Sequence, residues 1–230
     1  MKKLSHLAAL CLLALSLPTH AALIAVNWAA DSNPDGLGSG TLGGLGVNLV
    51  STDGAVNGGD TFSGNWAGQA GTDGVPGIAA IAGANRNAID WNAGAAGSAT
   101  ITFSGGTVTN PILLFDFTDP GETFDFANAL TLNILDQSPG GSVTIAAGNV
   151  VTINNAPSNT ANDGFALQLI GTFSSIAFNT NLSQLSSQSV GFSIAADAAN
   201  VTVNRIPAPG SLALMLLGLV GCGFARCRNR

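Results

Sequence analysis

Residues 165–178 read FALQLIGTFSSIAF. In the first half Phe165, Leu167 and Leu169 recur at every second position. A period of two is that of a strand with one buried face, and it excludes the 3.6-residue period of a helix. Gly171 interrupts the run, and 172–178 resumes it as a second strand with Phe173. The same pattern extends in both directions. Residues 130–135 align Leu130, Leu132 and Ile134, and 112–117 align Leu113, Phe115 and Phe117. Residues 99–104 place Ile101 and Phe103 on one face, with earlier runs at 45–50 and 23–28. Residues 142–146 and 149–153 read as a hairpin around Ala147-Gly148, and runs at 190–195 and 200–204 close the series.

Turn dipeptides punctuate these runs: Asp35-Gly36, Asp53-Gly54, Asn57-Gly58, Asp73-Gly74 and Asp163-Gly164. Each combines a side chain that caps a turn with a residue free to take positive φ. The polar positions are Thr, Ser and Asn rather than charged residues, and no long stretch has helical period with caps. These features predict an all-β domain, an antiparallel β-sandwich or jelly roll. A β-helix is the alternative, but the repeats that define one are missing. Residues 31–98 are dense in Gly and Ala, so strands there are expected to be short or replaced by long loops, with a disordered 31–75 as the competing expectation.

The two ends differ from the middle. Residues 1–21 have the plan of a secretory signal peptide: Lys2 and Lys3, an apolar 4–17, the helix-breaking Pro18, and Thr19-His20-Ala21. Cleavage by signal peptidase is expected after Ala21, with Ala22 as the alternative. Residues 206–230 have three parts. Pro207-Ala208-Pro209-Gly210, within 206–210, disfavours regular structure and should be exposed and extended. Residues 211–225 are apolar and make a helix of ~22 Å, short against a membrane core of ~30 Å. Residues 226–230 carry Arg226, Arg228 and Arg230, which favour the cytoplasmic side.

This tripartite tail resembles the PEP-CTERM sorting signal of Gram-negative bacteria, with Pro207-Ala208-Pro209 where the family has Pro-Glu-Pro. The resemblance covers about a tenth of the chain. It implies an exported protein held transiently in the inner membrane by a C-terminal helix and processed by an exosortase. It also implies a destination at the cell surface or in the extracellular matrix, in the company of exopolysaccharide and biofilm. The expected organisation is a signal helix (1–21), an exported all-β domain (22–205) and a transmembrane sorting helix within 206–230.

Composition narrows what the domain can do. Cys11, Cys222, Cys227, His6, His20, Lys2 and Lys3 all lie outside 22–205. Within that span two arginines, Arg86 and Arg205, face thirteen acids, a net charge of −11. Nucleic acid is therefore not an expected partner, because nothing neutralises its phosphates. Catalysis by Cys–His, by Ser–His–Asp or through a histidine-held metal lacks its residues. No disulfide can brace the domain, so a packed core must.

Four candidate sites remain. Asp31-Ser32-Asn33-Pro34-Asp35-Gly36 matches the first half of a calcium loop, with Asp31, Asn33 and Asp35 as ligands. Leu42 stands where the bidentate acid belongs, and an Asp/Asn turn without metal explains the same residues. Asp116, Asp119, Glu122 and Asp125 cluster around Pro120-Gly121, either a pair of glycosidase carboxylates or a solvated loop. Trp28, Trp66 and Trp91 are sugar-stacking platforms or core residues. Arg86 is a ligand clamp or the ion-pair partner of Asp90. The expectation is a structural or adhesive surface protein without enzymatic activity. The alternatives are a calcium- or carbohydrate-binding module and, behind these, a carboxylate-dependent glycoside hydrolase.

Overall fold

The structure is a computed structural model. It describes residues 22–29, 36–52, 54–61, 66, 71–78, 87–93, 96–126, 130–140, 142–155, 164–182 and 190–204. Among them are eighteen strands. The first nine are β1 (Leu23–Ala25), β2 (Asn27–Trp28), β3 (Leu37–Leu42), β4 (Leu45–Ser51), β5 (Gly54–Thr61), β6 (Asn87–Ala93), β7 (Ala96–Ser104), β8 (Gly106–Thr109) and β9 (Ile112–Asp116). The second nine are β10 (Thr123–Asp125), β11 (Thr131–Gln137), β12 (Ser142–Ala146), β13 (Val150–Asn155), β14 (Gly164–Ile170), β15 (Thr172–Phe173), β16 (Ser175–Asn181), β17 (Val190–Asp197) and β18 (Val201–Val203).

The strands form three sheets. One runs β11-β14-β9-β17-β6-β5, with β1 also on β17; the second runs β12-β13-β10-β16-β7-β4-β3-β2; the third is β15-β8-β18. The pairings are antiparallel, as the sequence predicts. Eight strands, β6, β7, β9, β10, β13, β14, β16 and β17, are divided equally between the two large sheets. Numbered one to eight, they lie 1-8-3-6 in the first sheet and 2-7-4-5 in the second.

The large sheets face one another across one core. Phe115, Phe165 and Phe192 come from the first sheet, Phe124 and Phe178 from the second. Phe115 stacks on Phe165 at 4.5 Å between centroids and 11° between planes. It meets Phe124 across the gap, also at 4.5 Å. Such pairs add ~0.5–1.5 kcal/mol each beyond their buried area. The period of two supplies this layer: Phe165, Leu167 and Leu169 point inward from β14, and Val47 and Leu49 from β4.

The outer face of the first sheet is covered over β9, β14 and β17. Trp66, Val75 and Ile78 pack on Ile112, Leu114, Ala166 and Ala195. Every residue of β9 is consequently buried, and all of β17 except Asp197. The strap can approach because the outward positions are small, Gly164 and Ala166 on β14, Gly191, Ser193 and Ala195 on β17. At Gly71 (φ 91°) a Cβ would lie 2.0 Å from the Gly164 carbonyl oxygen, so backbone meets backbone there. Gly74 N–H donates to Asp136 Oδ2 at 2.8 Å and fixes the same segment to β11.

Some expectations need correction. The span 172–178 is two strands in different sheets, with Phe173 in β15 and Phe178 in β16. Asn57-Gly58 is no turn; it lies inside β5, where the register with β6 shifts between Gly58 and Asp60. β9 ends at Asp116, and Phe117 takes φ 57° instead of continuing the inward face of Leu113 and Phe115. The Gly-rich 31–98 contains β3, β4, β5 and β6.

The signal helix at 1–21, the half-loop residues Asp31, Asn33 and Asp35, Arg86 and all of 206–230 lie outside the described residues. No described helix is long and apolar enough to cross a membrane.

Candidate functional site

The acidic residues 116–125 link β9 of one sheet to β10 of the other. Asp119-Pro120-Gly121-Glu122 has Pro at its second position and Gly at its third, the pattern of a type II turn, and Gly121 has the φ of 92° that the turn demands. Glu122 N–H donates to the Asp119 carbonyl at 3.3 Å, and Asp119 N–H donates to Glu122 Oε2 at 3.0 Å. Gly121 N–H bonds the Ile153 carbonyl at 2.7 Å, and Ile153 N–H returns to the Glu122 carbonyl at 3.0 Å. The turn is thereby pinned to β13.

These acids are not on a solvated loop. Asp116 is fully buried and Glu122 is 2% exposed. Asp116 does alternate away from Phe115, but that side of the first sheet is covered. Its Oδ1 accepts the Phe117 N–H at 2.9 Å, which helps hold the positive φ after it. Both carboxylates thus accept hydrogen bonds from backbone N–H groups of neighbouring residues, Asp116 from Phe117 and Glu122 from Asp119. Among the described residues no group of three or more His, Cys, Asp or Glu is placed to hold a metal ion. Gly36, which closes the calcium half-loop, is described. It has φ 79°, and its carbonyl accepts the Ser51 N–H at 2.8 Å.

The tryptophans divide. Trp28 sits in the core between the sheets and Trp66 in the strap against the outside of the first sheet, each 2% exposed, so neither offers a ring to a sugar. The side chain of Trp91 lies outside the described residues, as does that of Asp90.

The sequence did not single out the outer face of the second sheet. There the side chains alternating with the core are hydroxyls and amides. One row across the strands is Ser39, Asn48, Thr102 and Ser175. Another is Asn181, Thr123, Thr152 and Thr144. Between them Ser98 and Asn179 face each other, with Asp125 beside Asn179. Several of these groups brace one another: Asn48 Nδ2 donates to Ser104 Oγ at 3.2 Å, Asn154 Nδ2 donates to Thr144 Oγ1 at 2.8 Å, and Thr52 and Ser98 share a hydrogen bond of 3.1 Å. The strands of this sheet hold no Lys, Arg, His or Glu, and Asp125 is their one charge. The signal in the sequence was the surplus of Thr, Ser and Asn at the polar positions of the alternation, but the rows exist only once the register is known.

No family model, curated protein or solved structure matches the chain.

Proposed function

We propose that this chain is an exported jelly-roll protein, sorted by an exosortase through 206–230 and displayed at the cell surface or in the extracellular matrix. Its role there is structural or adhesive, alongside exopolysaccharide. The observation that carries this is the tail, with Pro207-Ala208-Pro209-Gly210, an apolar 211–225 and Arg226, Arg228 and Arg230 in that order. Signal peptidase acts at Ala21 or Ala22, and the signal and sorting segments are helices in the membrane. The jelly-roll assignment has its support in the 1-8-3-6 and 2-7-4-5 orders, which two interleaved Greek keys produce. Support for the first cut lies in Ala22, whose carbonyl accepts the Ala198 N–H at 3.0 Å. Cleavage after Ala21 keeps that bond.

The domain acts without catalysis. It lacks the usual nucleophile–base residue pairs, and its buried Asp119 and Glu122 are engaged in a turn. Calcium at Asp31, Asn33 and Asp35 is a subsidiary proposal and alters none of this.

The test is the intact mass of protein recovered from the cell surface or medium. Loss of the C-terminal segment is expected. Leu216→Asp with Leu217→Asp should abolish processing, because each Asp near the middle of a helix costs ~3 kcal/mol of insertion. Surface material that still ends at Arg230 would overturn the proposal.

A further inference from the structure

We propose that the outer face of the second sheet is a binding surface for a neutral, polyhydroxylated polymer, a polysaccharide without acid groups. The proposal rests on the reading of the chain as a surface or matrix protein and names the chemistry of what it holds there. Three features of the face lead to it. Its hydroxyls and amides each donate and accept hydrogen bonds, as sugar hydroxyls do. They stand in rows across strands ~4.8 Å apart, close to the length of one pyranose ring, so an extended glycan lying along a row meets about one strand per sugar. Contacts between neighbours, such as Asn48 with Ser104, hold these side chains in place before any ligand arrives and lower the cost of ordering them.

Charge selects among polymers. Among the described residues, the strands of this face carry no cation and one carboxylate, and the domain around it carries −11. An acidic polysaccharide would find nothing to neutralise it and a like-charged protein to repel it. A second copy of this chain fits less well. Interfaces between identical subunits are richer in apolar surface than the rest of a protein, whereas the large apolar groups of this face are the cross-strand pair Leu37 and Val50, 47% and 48% exposed, and the half-buried Val150. Without an aromatic ring to stack on, each sugar is held weakly. Avidity along a chain must supply the affinity, so polymers should bind and short oligosaccharides should not.

The experiment is native electrophoresis of the full chain in mild detergent through gels containing galactomannan, a neutral polymer, or alginate, an acidic one. Galactomannan should retard the protein and alginate should not. Asn48→Ala with Thr102→Val and Asn179→Ala should weaken the apparent affinity at least tenfold at an unchanged melting temperature. Thr102→Val alone keeps the shape and strand preference of the residue, and it should weaken binding severalfold even if the triple variant does not fold. Retardation by neither polymer, stronger retardation by alginate, equal retardation of the variants, or a mobility set only by protein concentration would each overturn the proposal. None of these outcomes changes the C-terminal mass, so a failure here is distinguishable from a failure of the sorting assignment.

Discussion

Two glycines with nearly the same φ show how differently one residue type is used. Gly71 has φ 91° and faces the Gly164 carbonyl, which a Cβ would meet at 2.0 Å. Gly121 has φ 92° and nothing within 4 Å of its Cβ position. Gly121→Ala should therefore cost only the conformational strain, about 1 kcal/mol. Gly71→Ala adds a backbone collision that no side-chain rotation relieves, and should cost at least ~3 kcal/mol. Urea unfolding of both variants checks this, and equal losses would show that the strap does not press on β14. Phe117 is the counterexample: a bulky residue at φ 57°, which nothing in the local sequence foretells. Its conformation follows from the end of β9 and from the Asp116 carboxylate beside its N–H.

At the scale of elements, legibility followed burial. Strands with one wet face were readable. Residues 142–146 coincide with β12, and 45–50 fall within β4, whose burial alternates along its length. Strands dry on both faces were read as alternating too, and the alternation implies a wet face that β9 does not have, which is why a solvated Asp116 was among the expectations. Short or Gly-rich strands, β3, β5, β6, β8 and β10, escaped because they carry too few large apolar residues to set a period. The strap was invisible for a related reason: Trp66, Val75 and Ile78 have no period in common, and what unites them is the face they cover. Of the candidate sites, the acidic cluster was found with the wrong environment, and the polar rows only as composition. Trp66→Ala should strip the strap's largest contact, lower stability by ~3–5 kcal/mol and expose Leu114 and Ile112. Increased binding of a hydrophobic dye before the main unfolding transition would report it; an unchanged melting curve would refute the packing.

On the scale of the whole molecule, charge and cysteine placement set the behaviour. With no cysteine between 22 and 205, the domain spanning those residues should be β-type by circular dichroism and unfold cooperatively, identically with and without reductant. At −11 over that span, DNA should not retain it even at low salt. A reductant-sensitive transition or salt-sensitive retention on DNA would contradict these. The pairing of β1 with β17 has a consequence in time. Leu23 meets Asp197, so the first strand made waits for almost the last before its edge is satisfied. Closing so long a loop is entropically slow, and contacts this far apart in sequence slow folding. A chain emerging N-terminus first thus cannot finish its first sheet until residue 197 has been made. If the chain is exported as proposed, crossing the membrane as a thread, that delay is an advantage: the topology itself postpones folding until nearly the whole domain is on the far side.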